Sequence, residues 1–172
     1  MKFLINFLLK PMSFIPAILV MLTIYSFSAQ TSMESSKISS GFTVKIVKTA
    51  DKILDIRMTT EQTNRVVERI HHFVRKLAHF SEYFLLAVCV ALPLYVYGIR
   101  GIWLILTGSI FCFGFAAFDE MHQLFVNGRS GQIKDVILDS SGALTGIISV
   151  RILGYIFRKC IFEPILNRAK KI

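Results

Sequence analysis

Two short stretches of this 172-residue chain place ionisable side chains at the edges of long apolar runs. The first is Arg75-Lys76-Leu77-Ala78-His79-Phe80-Ser81-Glu82-Tyr83, at the mouth of an apolar segment; the second, Asp119-Glu120-Met121-His122-Gln123, closes the next one. Ionisable groups a turn or two inside a membrane helix are expensive, which makes them functional-site candidates by default. On a helix Arg75, His79 and Glu82 fall at i, i+4 and i+7 and share a face, with Lys76, His79 and Tyr83 on an overlapping stripe. Arginine and lysine there can hold a phosphate or carboxylate, arginine through a bidentate contact. His79, Glu82, Asp119, Glu120 and His122 are the candidates for acid–base catalysis. His79-x-x-Glu82 and Asp119-x-x-His122 are also two i,i+3 carboxylate–histidine pairs, a spacing from which helix bundles build metal sites. A divalent metal such as zinc or manganese would fall to His79, Glu82, Asp119 and His122. No HExxH run and no cysteine-rich ligand set is present, so no cofactor is expected. A serine nucleophile elbow and a phosphate loop are missing as well.

The elements that must position these residues follow from composition. The chain is 53% hydrophobic, its apolar residues come in blocks, and it carries a net charge of +9. That excludes an ordinary soluble domain and predicts an all-α integral membrane protein, a four-helix bundle forming one unit over residues 1–172. The basic residues flank apolar segments and show no basic–aromatic nucleic-acid module, so membrane lipids are the expected partners and nucleic acid is not. Cys89, Cys112 and Cys160 show neither metal spacing nor a disulfide framework and read as packing residues, with Cys160 an acylation candidate.

Spans are expected over 12–29, 77–97, 102–118 and 136–157. The first also has signal-peptide features, since Lys2 and Lys10 precede it and small residues surround Ser28-Ala29. No independent soluble domain follows it, which favours a retained span. Gln30–Ser36 and Ser39-Ser40-Gly41 read as turn and cap material. An amphipathic segment is expected over 42–75, with Phe42, Ile46, Ala50, Ile53 and Leu54 on an apolar stripe and Lys45, Lys48 and Lys52 elsewhere. It suits the membrane interface or a position over the bundle mouth. Thr59 and Gln62 have capping-box spacing, and the helix they open is expected to enter the membrane unbroken. Pro93 predicts a kink near the far end of that span. Adjacent His71 and His72 read as surface histidines. Lys2 and Lys10 before the first span, Arg100, and the tail residues Arg158, Lys159, Arg168, Lys170 and Lys171 place both termini in the cytoplasm. Segments 30–75 and 119–135 then lie outside, although residues 30–76 hold nine Lys/Arg against five acidic residues.

A four-residue turn at Gly98–Gly101 forces the second and third spans antiparallel. His79 lies twenty residues before Ile99 and Asp119 twenty after it, so equal helical rise brings the two polar stretches to the same depth. The turn Asn127-Gly128-Arg129-Ser130-Gly131 adds amides and a guanidinium suited to an anion. Asp135, Asp139 and Gly142, at i, i+4 and i+7, add a carboxylate face with a small residue for close packing. The ligand-binding set is therefore Arg75, Lys76, His79, Glu82, Tyr83, Asp119, His122, Gln123, Arg129, Asp135 and Asp139. Three uses compete for it. One is a structural clamp, with Arg75 or Arg129 paired to Glu82, Asp119 or Asp139. The others are a headgroup or ligand site, and a metal or catalytic centre.

Arg75-Lys-x-x-His79-Phe80-x-Glu82-Tyr83, Asp119-Glu120-x-His122-Gln123-x-Phe125, Gly128-Arg129, Asp135 and Asp139 together resemble the VanZ-like family of bacterial membrane proteins. Ser26–Gln30 and Ser35-Ser36 add to the likeness, which covers most of residues 12–155. Where members often carry asparagine, this chain has Asp139-Ser140-Ser141. The resemblance implies a multi-pass bacterial cell-membrane protein of four spans, linked to resistance against teicoplanin-type lipoglycopeptides. A lipid-linked cell-wall precursor or a lipoglycopeptide is the implied partner. The family brings no settled reaction, leaving open a binder or an enzyme acting on a lipid or peptidoglycan precursor.

Overall fold

The computed structural model describes residues 10–162. The described residues form five α-helices: α1 (Ile15–Ser28), α2 (Ser32–Leu54), α3 (Thr60–Val96), α4 (Ile102–Gln123) and α5 (Ile133–Phe157), the last continuing into a π-helical turn at Arg158–Phe162. No strand is present among them. Four of the helical segments are long and apolar enough to cross a membrane: Lys10–Ser28, Thr60–Val96, Ile102–Gln123 and Ile133–Cys160. The protein is an all-α membrane bundle, with α2 as the additional amphipathic helix between its first two spans. Lys2, Arg168, Lys170 and Lys171, used above for orientation, lie outside the described residues.

Local chemistry accounts for the boundaries. Pro16 sits in the first turn of α1, where its missing N–H is no loss. Gly98 and Gly101 take φ of 98° and 62° in the turn between α3 and α4, a region glycine enters without a Cβ penalty. The Thr59–Gln62 capping box forms with both of its hydrogen bonds, at 2.8 and 3.3 Å. From there α3 runs 37 residues through Pro93 to Val96, roughly 55 Å at helical rise. That exceeds a hydrocarbon core of ~30 Å, so the N-terminal part of α3 projects past the bundle and carries α2 against it.

Three boundaries differ from expectation. The amphipathic helix begins at Ser32, not near Phe42, because Thr31 and Glu34 form a second capping box. Ser39 and Ser40, read as turn residues, lie mid-helix and return their hydroxyls to the carbonyls of Ser36 and Lys37. The third span, expected to end at 118, continues through Asp119–Gln123 as the end of α4. Helix α5 starts at Ile133 because its N-cap residue, Gln132, donates its backbone N–H to Glu120 Oε2 at 2.8 Å. The face of α2 that packs also differs. Thr43 and Val47 are buried, while the stripe residues Phe42, Ile46, Ile53 and Leu54 stay exposed, Phe42 at 58%.

Helices α3 and α5 make the most extensive contact in the molecule. A Cβ at Gly142 would stand 2.3 Å from the Phe80 carbonyl oxygen, and one at Gly146 would stand 2.6 Å from that of Phe84. The two backbones thus touch along a seam that only glycine permits, as small-xxx-small pairs do in membranes. Helix α4 packs on α5, where Gly108 leaves room for Ile147, and α1 lies on α3 and α4. Ser13 Oγ and Tyr97 OH hydrogen-bond at 2.6 Å, which sets the start of α1 beside the Gly98–Gly101 turn. The bundle therefore has a turn face, holding Lys10, Arg100 and Arg158, and a loop face, holding the α1–α2 and α4–α5 connections. Overpacking the glycine seam sets the first prediction. Gly142→Ala and Gly146→Ala should each destabilise the bundle by about 1–3 kcal/mol. Gly114→Ala, whose Cβ meets nothing within 4 Å, should not. Thermal unfolding in detergent checks this, and equal melting of all three variants would remove the seam from the account.

Candidate functional site

At the loop face α3, the end of α4, the α4–α5 connection and the start of α5 enclose a polar cavity of about 200 Å³. Arg75, Lys76, His79, Gln123, Arg129 and Asp135 line it. A second cavity of about 360 Å³ opens between α1, α2 and α3. Its polar end is Arg75, His79, Glu82 and Arg129; its apolar end is Phe27, Ile38, Phe42, Val74 and Ala78. The two share Arg75, His79 and Arg129, so a polar chamber and an amphipathic chamber have a common wall.

The cations of that wall have different occupations. Arg129 is fully engaged: Nε donates to the Gln30 carbonyl at 2.9 Å, Nη2 to that of Phe27 at 2.9 Å, and Nη1 to Gln123 Oε1 at 3.1 Å. It satisfies carbonyls at the C-terminal end of α1, a place where helices leave acceptors unpaired. Burial, and then the nearby Arg75, pull the Arg129 guanidinium down from its ordinary value. Lys76 Nζ pairs with Asp135 Oδ1 at 2.9 Å, joining α3 to α5. Arg75 is half-buried and has no hydrogen bond or ion pair among the described residues; its electrostatic neighbours are His79 and Arg129. In the clamp weighed from sequence as one of three uses, Arg75 or Arg129 pairs with Glu82, Asp119 or Asp139; none of these pairs forms among the described residues. The clamp that does form is Arg129 on backbone carbonyls, with the Lys76–Asp135 pair beside it.

Behind the wall lies a buried network. Ser28 Oγ donates to Asp119 Oδ2 at 2.7 Å, and Gln123 Nε2 reaches both Ser28 Oγ and Asp119 Oδ2 at 3.3 Å. Tyr83 and Asp139 are each 0% exposed. The Tyr83 hydroxyl, both Asp139 oxygens and Asp119 Oδ1 have no hydrogen-bond partner among the described residues, an unusual state for buried polar atoms. The carboxylates within electrostatic reach of that hydroxyl are those of Asp119, Asp139, Glu120 and Glu82.

Some candidates stand elsewhere. The His122 ring packs against Tyr25 of α1, centroids 4.6 Å apart, and lines neither cavity. Glu120 caps α5. No group of three His, Cys, Asp or Glu side chains among the described residues is arranged to hold a metal, so His79, Glu82, Asp119 and His122 do not form a ligand set as they stand. His71, read as a surface histidine, is half-buried with Nε2 2.8 Å from Ser39 Oγ, while His72 is exposed at the rim of the polar cavity. Ser28 and Gln30 carry contacts that spacing alone did not assign. Their position directly after an apolar run was the available signal.

Fold and site together define a multi-pass helical membrane protein with a polar, cationic recess at one membrane face. The chain belongs to the VanZ/LLP1 family, whose model matches residues 13–154. No curated protein and no solved structure matches it.

If Arg129 is the staple of α1, its geometry and not only its charge is needed. Arg129→Lys supplies one ammonium for three acceptors and should destabilise the bundle by roughly 1.5–3 kcal/mol, close to the loss in Arg129→Gln. Melting of the purified variants tests this; a lysine variant as stable as the wild type would contradict it.

Proposed function

We propose that the loop-face site binds an anionic amphiphile, its phosphate or carboxylate in the polar cavity and its apolar part in the adjoining one. The observation that carries this reading is Arg75, a half-buried guanidinium without a hydrogen-bond or ion-pair partner among the described residues, in the wall common to both cavities. Lys76 and His79 flank it, and His79, Glu82 and Gln123 would orient the neighbouring polar atoms. We take the turn face, with Lys10, Arg100, Arg158 and Lys159, as the cytoplasmic side and the loop face, with the nine Lys/Arg of residues 30–76, as the outer one. Lipid-linked cell-wall precursors and lipoglycopeptides meet at that surface of a bacterial membrane. We therefore propose that the protein supports resistance to teicoplanin-type lipoglycopeptides by engaging such a headgroup or the drug itself.

A second reading, an enzyme acting on a lipid or peptidoglycan precursor, draws support from the unpartnered oxygens of Tyr83, Asp119 and Asp139 beside the site. In its metal-dependent form these side chains must draw together around the ion. Near-stoichiometric zinc or manganese in purified protein, lost in Asp139→Asn, would favour it.

Losing one charged contact in a poorly hydrated site costs about 1.5–3 kcal/mol, roughly tenfold or more in affinity. Arg75→Ala and His79→Ala should each weaken the tolerance of a sensitive Gram-positive host expressing the protein. Arg65→Ala, which removes an exposed pair with Glu61 on the projecting part of α3, should leave it unchanged. Susceptibility measured beside protein level decides: full tolerance in both site variants at matched expression contradicts the proposal.

A further inference from the structure

The turn face carries a second recess that the loop-face site does not involve. A cavity of about 530 Å³ is lined by Arg100, Arg151 and Arg158 together with Tyr95 and Tyr155. It shares Tyr95, Arg100 and Arg158 with a cavity of about 710 Å³ whose other walls include Phe84, Leu92, Leu153 and Phe157. None of the described residues lining either cavity is acidic. Glu163 lies outside the described residues; every other Asp and Glu sits in α2, the α2–α3 turn, α3 up to Glu82, the end of α4 or the first turns of α5. Among the described residues the lining of the recess is therefore cationic, and the surface leading from it is apolar.

Its geometry is built by specific contacts. Arg151 on α5 and Arg158, the residue that follows its last turn, are seven residues apart and line the same recess. Between them Gly154 leaves bare backbone against the Tyr95 ring, where a Cβ would stand 2.7 Å from Tyr95 Cε1. Arg100 lies over the same ring, its guanidinium carbon 5.3 Å from the centroid, a cation–π contact that holds it at the recess. Arg151 is exposed within the membrane-spanning segment Ile133–Cys160 and has no hydrogen bond or ion pair among the described residues. A guanidinium in that position is costly unless an anion or the interface compensates it.

We infer that this recess binds the phosphate headgroup of an anionic diacyl phospholipid from the turn-face leaflet, with an acyl chain laid along the adjoining apolar cavity. Basic pockets between membrane helices at the cytoplasmic side recognise such headgroups. Arg100 and Arg151 supply the charge-assisted donors and Tyr95 the floor. Inorganic phosphate shares the headgroup chemistry but would leave the contiguous apolar cavity without a role.

The test uses the full-length, delipidated protein in detergent with photoactivatable phosphatidylglycerol, its phosphatidylcholine counterpart with the same chains, and mapping of the labelled peptides. Phosphatidylglycerol should label segments 84–101 and 149–158 in preference to phosphatidylcholine. Arg100→Gln/Arg151→Gln should lower that labelling about tenfold or more, while labelling near Arg75 persists. Arg100→Lys/Arg151→Lys should keep the preference for the anionic lipid. If the double glutamine variant does not insert, Arg151→Gln alone reads the same loss. Equal labelling by both lipids, undiminished labelling in the glutamine variants, or complete displacement by inorganic phosphate would each overturn the inference.

Discussion

The close approach of α5 to α3 at Gly142 and Gly146 is the contact on which the remaining geometry depends. Apolar helices gain little from meeting each other in lipid, so association rests on backbone proximity and polar contacts. With the Phe80 and Phe84 carbonyls against bare glycine backbone, Asp135 comes to the level of Lys76 and Asp139 is sealed beside Tyr83. The same seam continues to Gly154 and the Tyr95 ring. One line of small residues thus sets the polar chamber at one membrane face and the arginine recess at the other.

A division of labour among the cations follows. Arg129 and Lys76 are consumed in holding helix ends together, the first on carbonyls of α1 and the second on Asp135 of α5. Their engagement fixes the wall in which Arg75 stands without a partner among the described residues. The structural clamp and the ligand site compete as readings of the same motif; the clamp falls on Arg129 and Lys76, and the proposed ligand site on Arg75. The clamp supplies preorganisation, and the free guanidinium supplies the charge that an incoming anion would meet.

Much of this was legible in the sequence. Block hydropathy gave the four spans, the Gly98–Gly101 turn forced the antiparallel pair, and the Thr59–Gln62 spacing marked the start of α3. Equal counts from Ile99 place the two polar stretches at one depth, and Gln123 does line a cavity with His79. What was not legible depends on rotation about helix axes, which counting along the chain does not provide. His122 turns to Tyr25 of α1 and not toward His79. The packing face of α2 is Thr43 and Val47, which are buried, while Phe42 and Ile46 stay exposed and Phe42 borders the amphipathic cavity. The start of α2 was missed for a different reason: Thr31-x-x-Glu34 is a capping box, yet it is followed by serines that read as turn residues.

The central claim is that an anionic amphiphile occupies the paired cavities of the loop face. A photoreactive side chain at Ala78, in the apolar end of the amphipathic cavity, compared with one at lipid-exposed Leu85, tests it in membranes of the producing host. The account predicts that Ala78 captures a phosphate- or carboxylate-bearing amphiphile out of proportion to its abundance, and that Arg75→Ala abolishes the enrichment. Adducts at Ala78 that match those at Leu85 in composition, with or without Arg75, would contradict it.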